Sequence, residues 1–306
     1  MQDYEGDLWC PKSIITPING ESRRTSIICS GNYENILNTL LRYLLEKKGK
    51  FRLALKNVKK ESKVVKLLPQ IAKSYKLSTV IFKKASSPIL HINTDWRTYF
   101  NSLSTHFRRN LRNRRKKRSR IGEETYVTIT EIKRCDQAMK DVLAIERNSW
   151  KEKVGTSFTA GFGLAQFYKE FAQKCAEKKW LRIHLMYLNS KPMAHTYGLI
   201  YKNDYYILKT SFDNRYRSLA PGIAIFIYSI EDAFKQGFAK IDLLGGQTEL
   251  KEIFSDDSIS QVDICVFSKN SSRCMRCTFY QNIVKPFIKN KMPFVTDLIK
   301  KKKDSA

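Results

Sequence analysis

The sequence predicts a mixed α/β fold with a largely antiparallel central sheet flanked by helices. The order of patterns over residues 126–268 carries this prediction: a strand, two helices, three strands, a helix, a strand, a short helix and a final strand. Within it, residues 205–254 read as strand, loop, helix, strand and helix without interruption, and residues 223–234 have apolar side chains at helical spacing. Asn203 and Asp204 between two β-rich runs predict a hairpin.

Composition limits the class of protein. The chain has 306 residues, of which 42% are hydrophobic, enough for one large domain or two ordinary ones. No run approaches the roughly 20 apolar residues of a membrane span, and the N-terminus lacks a signal-peptide pattern. We therefore expect a cytoplasmic protein, with peripheral attachment to the inner face of the membrane left open.

The seven cysteines are scattered and odd in number, which is typical of a reducing compartment. Cys274 and Cys277 form a single C-x-x-C pair with no second pair and no nearby histidine. That spacing alone does not favour zinc, so we predict no metal site.

The formal charge of +27 favours polyanionic partners such as CoA phosphates, nucleic acid, anionic lipid or an anionic polymer. Much of it lies in a helix predicted over residues 95–120, which Asp95 caps and Gly122 ends. Residues 108–120 hold nine basic residues in thirteen, with Leu111 the only apolar one. Such a helix keeps at least one face toward solvent or a partner.

The N-terminal ninety residues predict a small unit of alternating helices and strands. The helices are expected at 33–48 and 63–75, and the strands at 51–55 and 79–82.

The loop between the strand at 205–210 and the helix at 223–234 has the features of a pyrophosphate site. Small residues allow backbone N–H groups to approach a ligand, the helix N-terminus carries partial positive charge, and arginines flank the turn. The residues expected to bind the phosphates are Arg215, Arg217, Ser218, Leu219, Ala220 and Gly222. An ordinary strand-to-helix turn with exposed arginines is the alternative.

Several short motifs follow one another along the chain. They are Trp96, Tyr99 and Leu103 before Arg108, Arg112 and Arg115; Glu146, Ser149, Trp150, Lys151 and Gly155; Ser218, Ala220, Pro221 and Gly222; and Asp242, Gly245 and Lys251. In this order they resemble the acetyltransferase family named for the CelD protein of cellulose-biosynthesis clusters. That family is related to the Fem-type aminoacyltransferases and has the GNAT acyl-CoA N-acyltransferase fold. The chain departs from the pattern at Leu250 and Phe254 and in its short N-terminal half.

The resemblance implies how the chain is organised. Residues 1–94 would be a partial, degenerate GNAT-like unit, residues 95–125 a basic connecting helix, and residues 126–270 the complete acyltransferase domain. Residues 271–306 would form a basic tail.

Four residues are candidates for catalytic roles in acyl transfer. Glu146 and His195 are possible proton acceptors, and Asp213 is a comparable candidate beside the phosphate loop. The resemblance places Lys251 near the reacting acyl group, whereas a solvated lysine is the alternative. No covalent cysteine chemistry is required.

The acceptor is expected to contact other side chains. Trp150 and Lys151 follow the first helix of the GNAT half, and Tyr197 shares a strand face with His195 because residues two apart point the same way. Arg108 and Arg112 are expected to contact an anionic acceptor. Trp150, Tyr197 and His195 could instead be structural.

The leading prediction is an acyltransferase that moves an acyl group, most simply acetyl, from acyl-CoA to an amine or hydroxyl of a sugar, polysaccharide or envelope precursor. Two alternatives stay open. One is a Fem-like transferase with aminoacyl-tRNA as donor, and the other is a non-catalytic GNAT-derived protein that binds a polyanion through residues 108–120.

Overall fold

The computed structural model describes residues 2–4, 13–16, 18, 22–48 and 51–267, which form two compact units. Among these residues, those before 87 and those from 259 to 267 belong to the first unit, and Ser87–Ser258 form the second. The predicted basic tail at 271–306, with Cys274 and Cys277, lies outside the described residues.

The first unit has a five-stranded sheet in the order β1-β2-β3-β12-β4. Its elements are β1 (Gln2–Tyr4), β2 (Ser13–Ile15), α1 (Tyr33–Lys48), β3 (Arg52–Lys59), α2 (Lys63–Ser74), β4 (Ser78–Lys83) and β12 (Gln261–Phe267). Leu37 and Leu41 of α1 and Leu68 of α2 are fully buried against Leu53 and Ile264 of the sheet. The core of this unit therefore has a helix layer on a sheet layer.

The second unit has a seven-stranded mixed sheet in the order β11-β5-β10-β9-β8-β7-β6. Its strands are β5 (Ser87–His91), β6 (Glu124–Ile129), β7 (Leu181–Leu188), β8 (Lys191–Tyr201), β9 (Asp204–Phe212), β10 (Lys240–Asp242) and β11 (Asp257–Ile259). Its helices are α3 (Trp96–Ser102), α4 (Thr105–Ser119), α5 (Ile132–Arg147), α6 (Trp150–Lys153), α7 (Leu164–Glu177), α8 (Pro221–Lys235) and α9 (Glu249–Phe254). Separate apolar clusters contain α5 with α7, and α3 with α8. The predicted α/β class with a largely antiparallel sheet is confirmed.

The prediction of a single helix over residues 95–120 is wrong, because this segment forms the two helices α3 and α4. Asp95 caps α3 as expected, its side chain accepting from the N–H of Thr98 at 3.0 Å. Leu103 then adopts an extended conformation with ψ of 149° and is buried. Ser104 caps α4 by accepting from the N–H of Phe107 at 3.2 Å. A second capping residue inside the periodic pattern marks the break that the periodicity conceals.

The final strand of the predicted acyltransferase half pairs elsewhere. Residues of β12 form antiparallel ladders with β3 and β4, so this strand completes the sheet of the first unit. Conversely, β5 pairs with β10 and belongs to the second unit. Pro88 conceals β5 in the sequence, although proline is tolerated near the start of a strand. The compact units divide near residues 86 and 258.

The described residues contain free cysteines. Within the described residues, Cys135, Cys175 and Cys265 are buried free thiols and Cys29 is a half-buried one. No helix among those residues is both long and apolar enough to cross a bilayer.

Candidate active site

The two parallel strands of the second unit separate and form a wedge. β9 and β10 are hydrogen-bonded over Asp204–Tyr206 and Lys240–Asp242 only, whereas β9 continues to Phe212. After β10 the chain follows β5 instead, since the N–H of Leu243 donates to the Pro88 carbonyl at 3.0 Å. The wedge thus lies between residues 207–212 of β9 and the turn at residues 243–246.

A β-bulge occurs in β9 at the mouth of this wedge. Tyr197 of β8 is opposite Lys209 and Gly198 is opposite Ile207, so Leu208 is the extra residue. A bulge bends a strand and redirects its backbone groups. Beyond it, the carbonyl of Thr210 accepts a hydrogen bond from Lys151 Nζ at 2.6 Å. Lys151 therefore contacts the β9 backbone at the wedge.

The turn on the other side of the wedge is tightly held. Asp242 is buried, and its Oδ1 accepts from the N–H of Leu244 at 3.1 Å. Leu244 and Gly245 both have positive φ, at 45° and 63°. Lys251 Nζ binds the carbonyl oxygens of Leu244 and Gly246. Lys251 thus contacts the backbone of this turn, beside the wedge.

The loop after β9 ends in the N-terminus of α8. Residues Asn214–Leu219 form a 3-10 helix, which Asp213 begins by accepting from the N–H of Arg215 at 2.9 Å. The Asp213 carboxylate also binds the Arg215 guanidinium at 2.6 Å. Asp213 is almost fully buried, so its carboxylate stabilises the loop. Arg217 and Ser218 are exposed.

The amides available for an anion are fewer than the sequence predicts. The N–H of Ala220 donates to the Arg217 carbonyl at 3.1 Å, and Pro221 at the first helical position has no N–H. The N–H of Ala224 donates to the Ala220 carbonyl at 3.3 Å. The first turn of α8 therefore leaves the N–H groups of Gly222 and Ile223 for a ligand, as expected of a helix N-terminus.

The basic helix α4 holds this loop in place. Arg118 is buried, with its Nε 2.8 Å from Glu124 Oε1 and its Nη1 2.9 Å from the Leu219 carbonyl. Arg114 Nη1 lies 3.4 Å from the Ser218 carbonyl. Arg114 and Arg118 of the charge run therefore contact this loop, which the sequence did not indicate.

Glu146 and His195, predicted separately as proton acceptors, form one buried pair. Both side chains are fully inaccessible, and His195 Nε2 lies 2.9 Å from Glu146 Oε1. The other carboxylate oxygen accepts from the N–H of Phe158 at 3.1 Å. The C-terminal end of α5 thus presents a carboxylate to the strand β8.

The surroundings of the pair determine the protonation states of Glu146 and His195. Burial lowers the pKa of His195, although the hydrogen bond and charge of Glu146 oppose that shift. Burial alone would raise the pKa of Glu146, but the hydrogen bond from His195, the charge of Lys151 and the N–H of Phe158 lower it below its ordinary value. We therefore assign an ionised Glu146 and a neutral His195 that donates from Nε2. In that tautomer Nδ1 carries the basic lone pair.

Two buried polar atoms near this pair lack partners. Neither His195 Nδ1 nor Ser211 Oγ has a hydrogen-bond partner within the described part of the chain. The two residues are directly opposite each other on β8 and β9, so their side chains share one face of the sheet. Ser211 directly follows Thr210, whose carbonyl Lys151 binds. A basic nitrogen and a hydroxyl therefore lie together, next to the strand segment that borders the wedge.

An aromatic cluster encloses the pair. The Phe158 ring stacks on Tyr168 with centroids 3.9 Å apart and lies 5.9 Å from the His195 ring. Lys209 Nζ lies 5.0 Å from the Phe158 ring centroid and donates to a loop carbonyl at 3.1 Å. Tyr197 shares the face of His195 as predicted, but it is fully buried and donates to the Tyr168 carbonyl at 3.1 Å. Tyr197 is thus a core residue in this structure.

The remaining predicted contacts are dispersed. Trp150 is 47% exposed at the start of α6, so it is not a core residue. Arg108 binds the Leu103 carbonyl at 3.0 Å, and Arg112 is exposed on α4. Ser211, Phe158 and Lys209 were missed, because no local spacing links them to the Glu146–His195 pair.

Comparison with known proteins supports the fold. Residues 105–252, a little less than half of the chain, match the family described as acetyltransferase (GNAT) domain. This region lies wholly inside the second unit, which has the GNAT fold. No curated protein matches the sequence.

Solved structures resemble the chain over most of its length at low identity. The C-terminal domain of a protein described as a lysylphosphatidylglycerol synthetase from Agrobacterium fabrum has a TM-score of 0.53 and 10% identity, covering 82% of this chain and 79% of that one. L-PGS from Bacillus licheniformis has a TM-score of 0.53 and 14% identity, with 83% and 80% covered. A conserved Bacteroides thetaiotaomicron protein of unknown function has a TM-score of 0.53 and 16% identity, with 78% and 77% covered. At these identities the likeness concerns the fold.

Proposed function

We propose that the protein is an acyltransferase that moves an acyl group from acyl-CoA to an amine or hydroxyl acceptor by direct attack on the thioester. The observation that carries this proposal is the wedge between β9 and the turn at residues 243–246, with the N-terminus of α8 at the end of the loop that follows β9. The match to the acetyltransferase domain supports it.

The wedge suits the extended arm of the donor. A chain placed between residues 207–212 and the turn can exchange hydrogen bonds with the β9 backbone, as an added strand does. The diphosphate would bind the N–H groups of Gly222 and Ile223, where the helix dipole favours negative charge. Arg217, exposed in the same loop, would supply a charge-assisted hydrogen bond.

His195 is the proposed general base. In direct transfer, the acceptor nitrogen or oxygen forms a bond to the thioester carbonyl carbon, the carbon–sulfur bond breaks, and CoA leaves as the thiol. The acceptor loses one proton, which His195 Nδ1 would receive. Glu146 is a positioning residue, because it fixes the tautomer and stabilises the imidazolium that forms. Lys151 and Lys251 would contact the donor carbonyl or an acceptor carboxylate.

Calorimetric titration with acetyl-CoA tests the donor site. We expect wild-type protein to bind acetyl-CoA, and Arg217→Ala to weaken binding by about tenfold, because a hydrogen bond to a charged group contributes roughly 1.5–3 kcal/mol. Lys140→Ala, which removes an exposed charge from α5, is the matched control and should bind as wild type does. Absence of acetyl-CoA binding by the wild type would overturn the proposal.

The charge of α4 favours one alternative donor, an aminoacyl-tRNA as used by Fem-type enzymes, and the same arginines suit a non-catalytic polyanion-binding protein. A tRNA donor would leave the amides of Gly222 and Ile223 unused. Transfer of a radiolabelled amino acid from aminoacyl-tRNA, unaffected by Arg217→Ala, would favour that alternative. Binding of RNA without any transfer would favour the non-catalytic one.

The pH dependence of kcat/KM tests the pairing of Glu146 with His195. The base must be neutral, so activity should fall only below the ordinary histidine pKa of about 6.5. Glu146→Gln removes the group that raises the His195 pKa, so the acid limb should shift to lower pH while the rate falls. Glu170→Gln, an exposed change on α7, should leave the profile unaltered. A slower Glu146→Gln enzyme with an unmoved acid limb would show a purely structural role.

A further inference from the structure

A cavity of about 490 Å³ lies between the basic helix α4 and the outer face of α8. We call it the arginine groove. Its cationic lining residues are Arg108, Arg112, Arg114, Arg115 and Arg118, and its apolar ones include Leu111, Ile223 and Ile227. Ala220 and Ile223 also line it, so one end of the groove adjoins the N–H groups proposed for the donor diphosphate.

The groove has a large excess of positive charge. Within the described residues, the guanidinium groups of Arg112 and Arg115 form no hydrogen bond or ion pair with the protein, and both side chains are exposed. Glu231 is the only carboxylate among the lining residues, and Lys235 binds it at 2.6 Å. Glu124 is bound by Arg118. Like charges so close together repel unless an anion binds between them.

The floor of the groove is apolar. Leu111, Ile223 and Ile227 are half-buried, so they keep apolar surface in contact with water. Trp96 and Phe100 of α3 extend this surface. The α8 residues that line the groove run from Ile223 to Glu231, a length of roughly 12 Å along the helix. A ligand that covers this floor would remove apolar area from water.

Hydrogen bonds and a ring contact fix the two sides of the groove relative to each other. Arg114 and Arg118 attach α4 to the carbonyls of Ser218 and Leu219, directly before α8. The stacking of Tyr126 on Tyr228, with centroids 4.9 Å apart, fixes the other end of the floor. The exposed guanidinium groups are therefore presented beside an apolar channel that exists before any ligand binds.

From this arrangement we propose that the arginine groove binds a phospholipid of an anionic membrane, with the phosphate between Arg112 and Arg115 and an alkyl chain along Ile223 and Ile227. An anionic head and an apolar chain match the two parts of the lining. A nucleic acid matches only the first, since it carries charge but no alkyl chain to cover Leu111, Ile223 and Ile227. The inference stands independently of acyl transfer.

Titration with dihexanoyl phosphatidic acid, followed by the fluorescence of Trp96, tests this site. Trp96→Phe identifies the signal among the four tryptophans. We expect saturable binding of this lipid, and at least tenfold weaker binding of dihexanoyl phosphatidylcholine, which lacks net charge, and of glycerol 3-phosphate, which lacks the chains. Co-sedimentation with vesicles of phosphatidylcholine alone or mixed with phosphatidic acid gives a second readout.

Substitutions separate the two parts of the site. Arg112→Ala with Arg115→Ala should weaken lipid binding by about thirtyfold, because each arginine near an anionic surface contributes roughly 1 kcal/mol. Ile227→Asn should weaken it by about tenfold through loss of the apolar contact. Lys133→Ala with Lys140→Ala removes two exposed charges from α5 and should leave the affinity for the soluble lipid and for the vesicles unchanged.

Three results would overturn the proposal. Equal binding of glycerol 3-phosphate would mean a simple anion site. An RNA oligonucleotide that displaces the lipid and binds wild type and Ile227→Asn with equal affinity would mean a nucleic-acid surface. Displacement by CoA, with CoA binding lost in the Arg112 and Arg115 variant, would assign the groove to the donor nucleotide.

Discussion

Replacing His195 by alanine is expected to lower kcat for acyl transfer by about 10²–10⁴-fold, the usual contribution of a positioned general base. Acetyl-CoA binding should stay unchanged, because the proposed donor contacts come from Gly222, Ile223 and Arg217. The rate is measured as CoA released from acetyl-CoA, by chromatography, with the best acceptor from a panel of amines and amino sugars. The physical reason is that Nδ1 is the basic nitrogen of a histidine whose other nitrogen is bound to Glu146.

A buried histidine also contributes to packing, so the test needs controls. His195→Gln keeps most of the volume and a polar group, and its thermal unfolding and acetyl-CoA affinity show whether the fold is retained. His106→Ala removes an exposed histidine from α4 and should have no effect on kcat. A folded His195→Gln protein with wild-type kcat would exclude His195 as the base.

Replacing Asp232 by alanine is expected to destabilise the protein by about 3–5 kcal/mol, the usual effect of removing one partner from a buried ion pair. Asp232 on α8 binds the Arg182 guanidinium and lies 2.8 Å from His184 Nε2, and both partners are buried. His184 in turn lies 2.9 Å from Thr196 Oγ1 and 3.2 Å from Tyr205 OH. Without the carboxylate, the Arg182 charge has no counter-ion in this network. Urea unfolding followed by circular dichroism measures the loss.

The free energy of unfolding should depend on pH through the Asp232 carboxylate. Burial alone would raise the pKa of Asp232, but the hydrogen bonds from His184 and Arg182 lower it to about 2. A carboxylate with a depressed folded pKa stabilises fully above its unfolded value of about 3.9, and this stability is lost as the pH falls toward 2. Asp232→Ala should flatten that acid limb, whereas Asp136→Ala, an exposed change on α5, should not. A variant as stable as wild type would show that the pair is energetically neutral.

The sequence predicts the elements of the second unit because their signals are local. The periodicity of α8, the alternation along β9 and the capping residue Asp95 depend on neighbours within a few positions. The split between α3 and α4 was hidden, since Leu103 and Ser104 fit a helical pattern until the cap is recognised. The exchange of β12 into the first sheet concerns pairing between distant segments, which no local pattern specifies.

The candidate site was predictable only in part. Glu146 and His195 stood out by residue type, yet their hydrogen bond joins α5 to β8 across 49 positions. The amide of Ala220 was expected to bind phosphate, but the 3-10 helix before α8 uses it internally. The sequence does not single out Ser211. Ser211 is a candidate only because its hydroxyl is buried near His195 Nδ1, and neither atom has a hydrogen-bond partner among the described residues.

A crystal structure of the protein grown with acetyl-CoA would show whether the wedge holds the donor. We expect the pantetheine arm between residues 207–212 of β9 and the turn at residues 243–246, with the diphosphate at the N–H groups of Gly222 and Ile223. We also expect the thioester on the side of the wedge nearest Ser211 and His195. Acetyl-CoA bound away from the wedge, with those amides contacting no phosphate, would contradict this expectation.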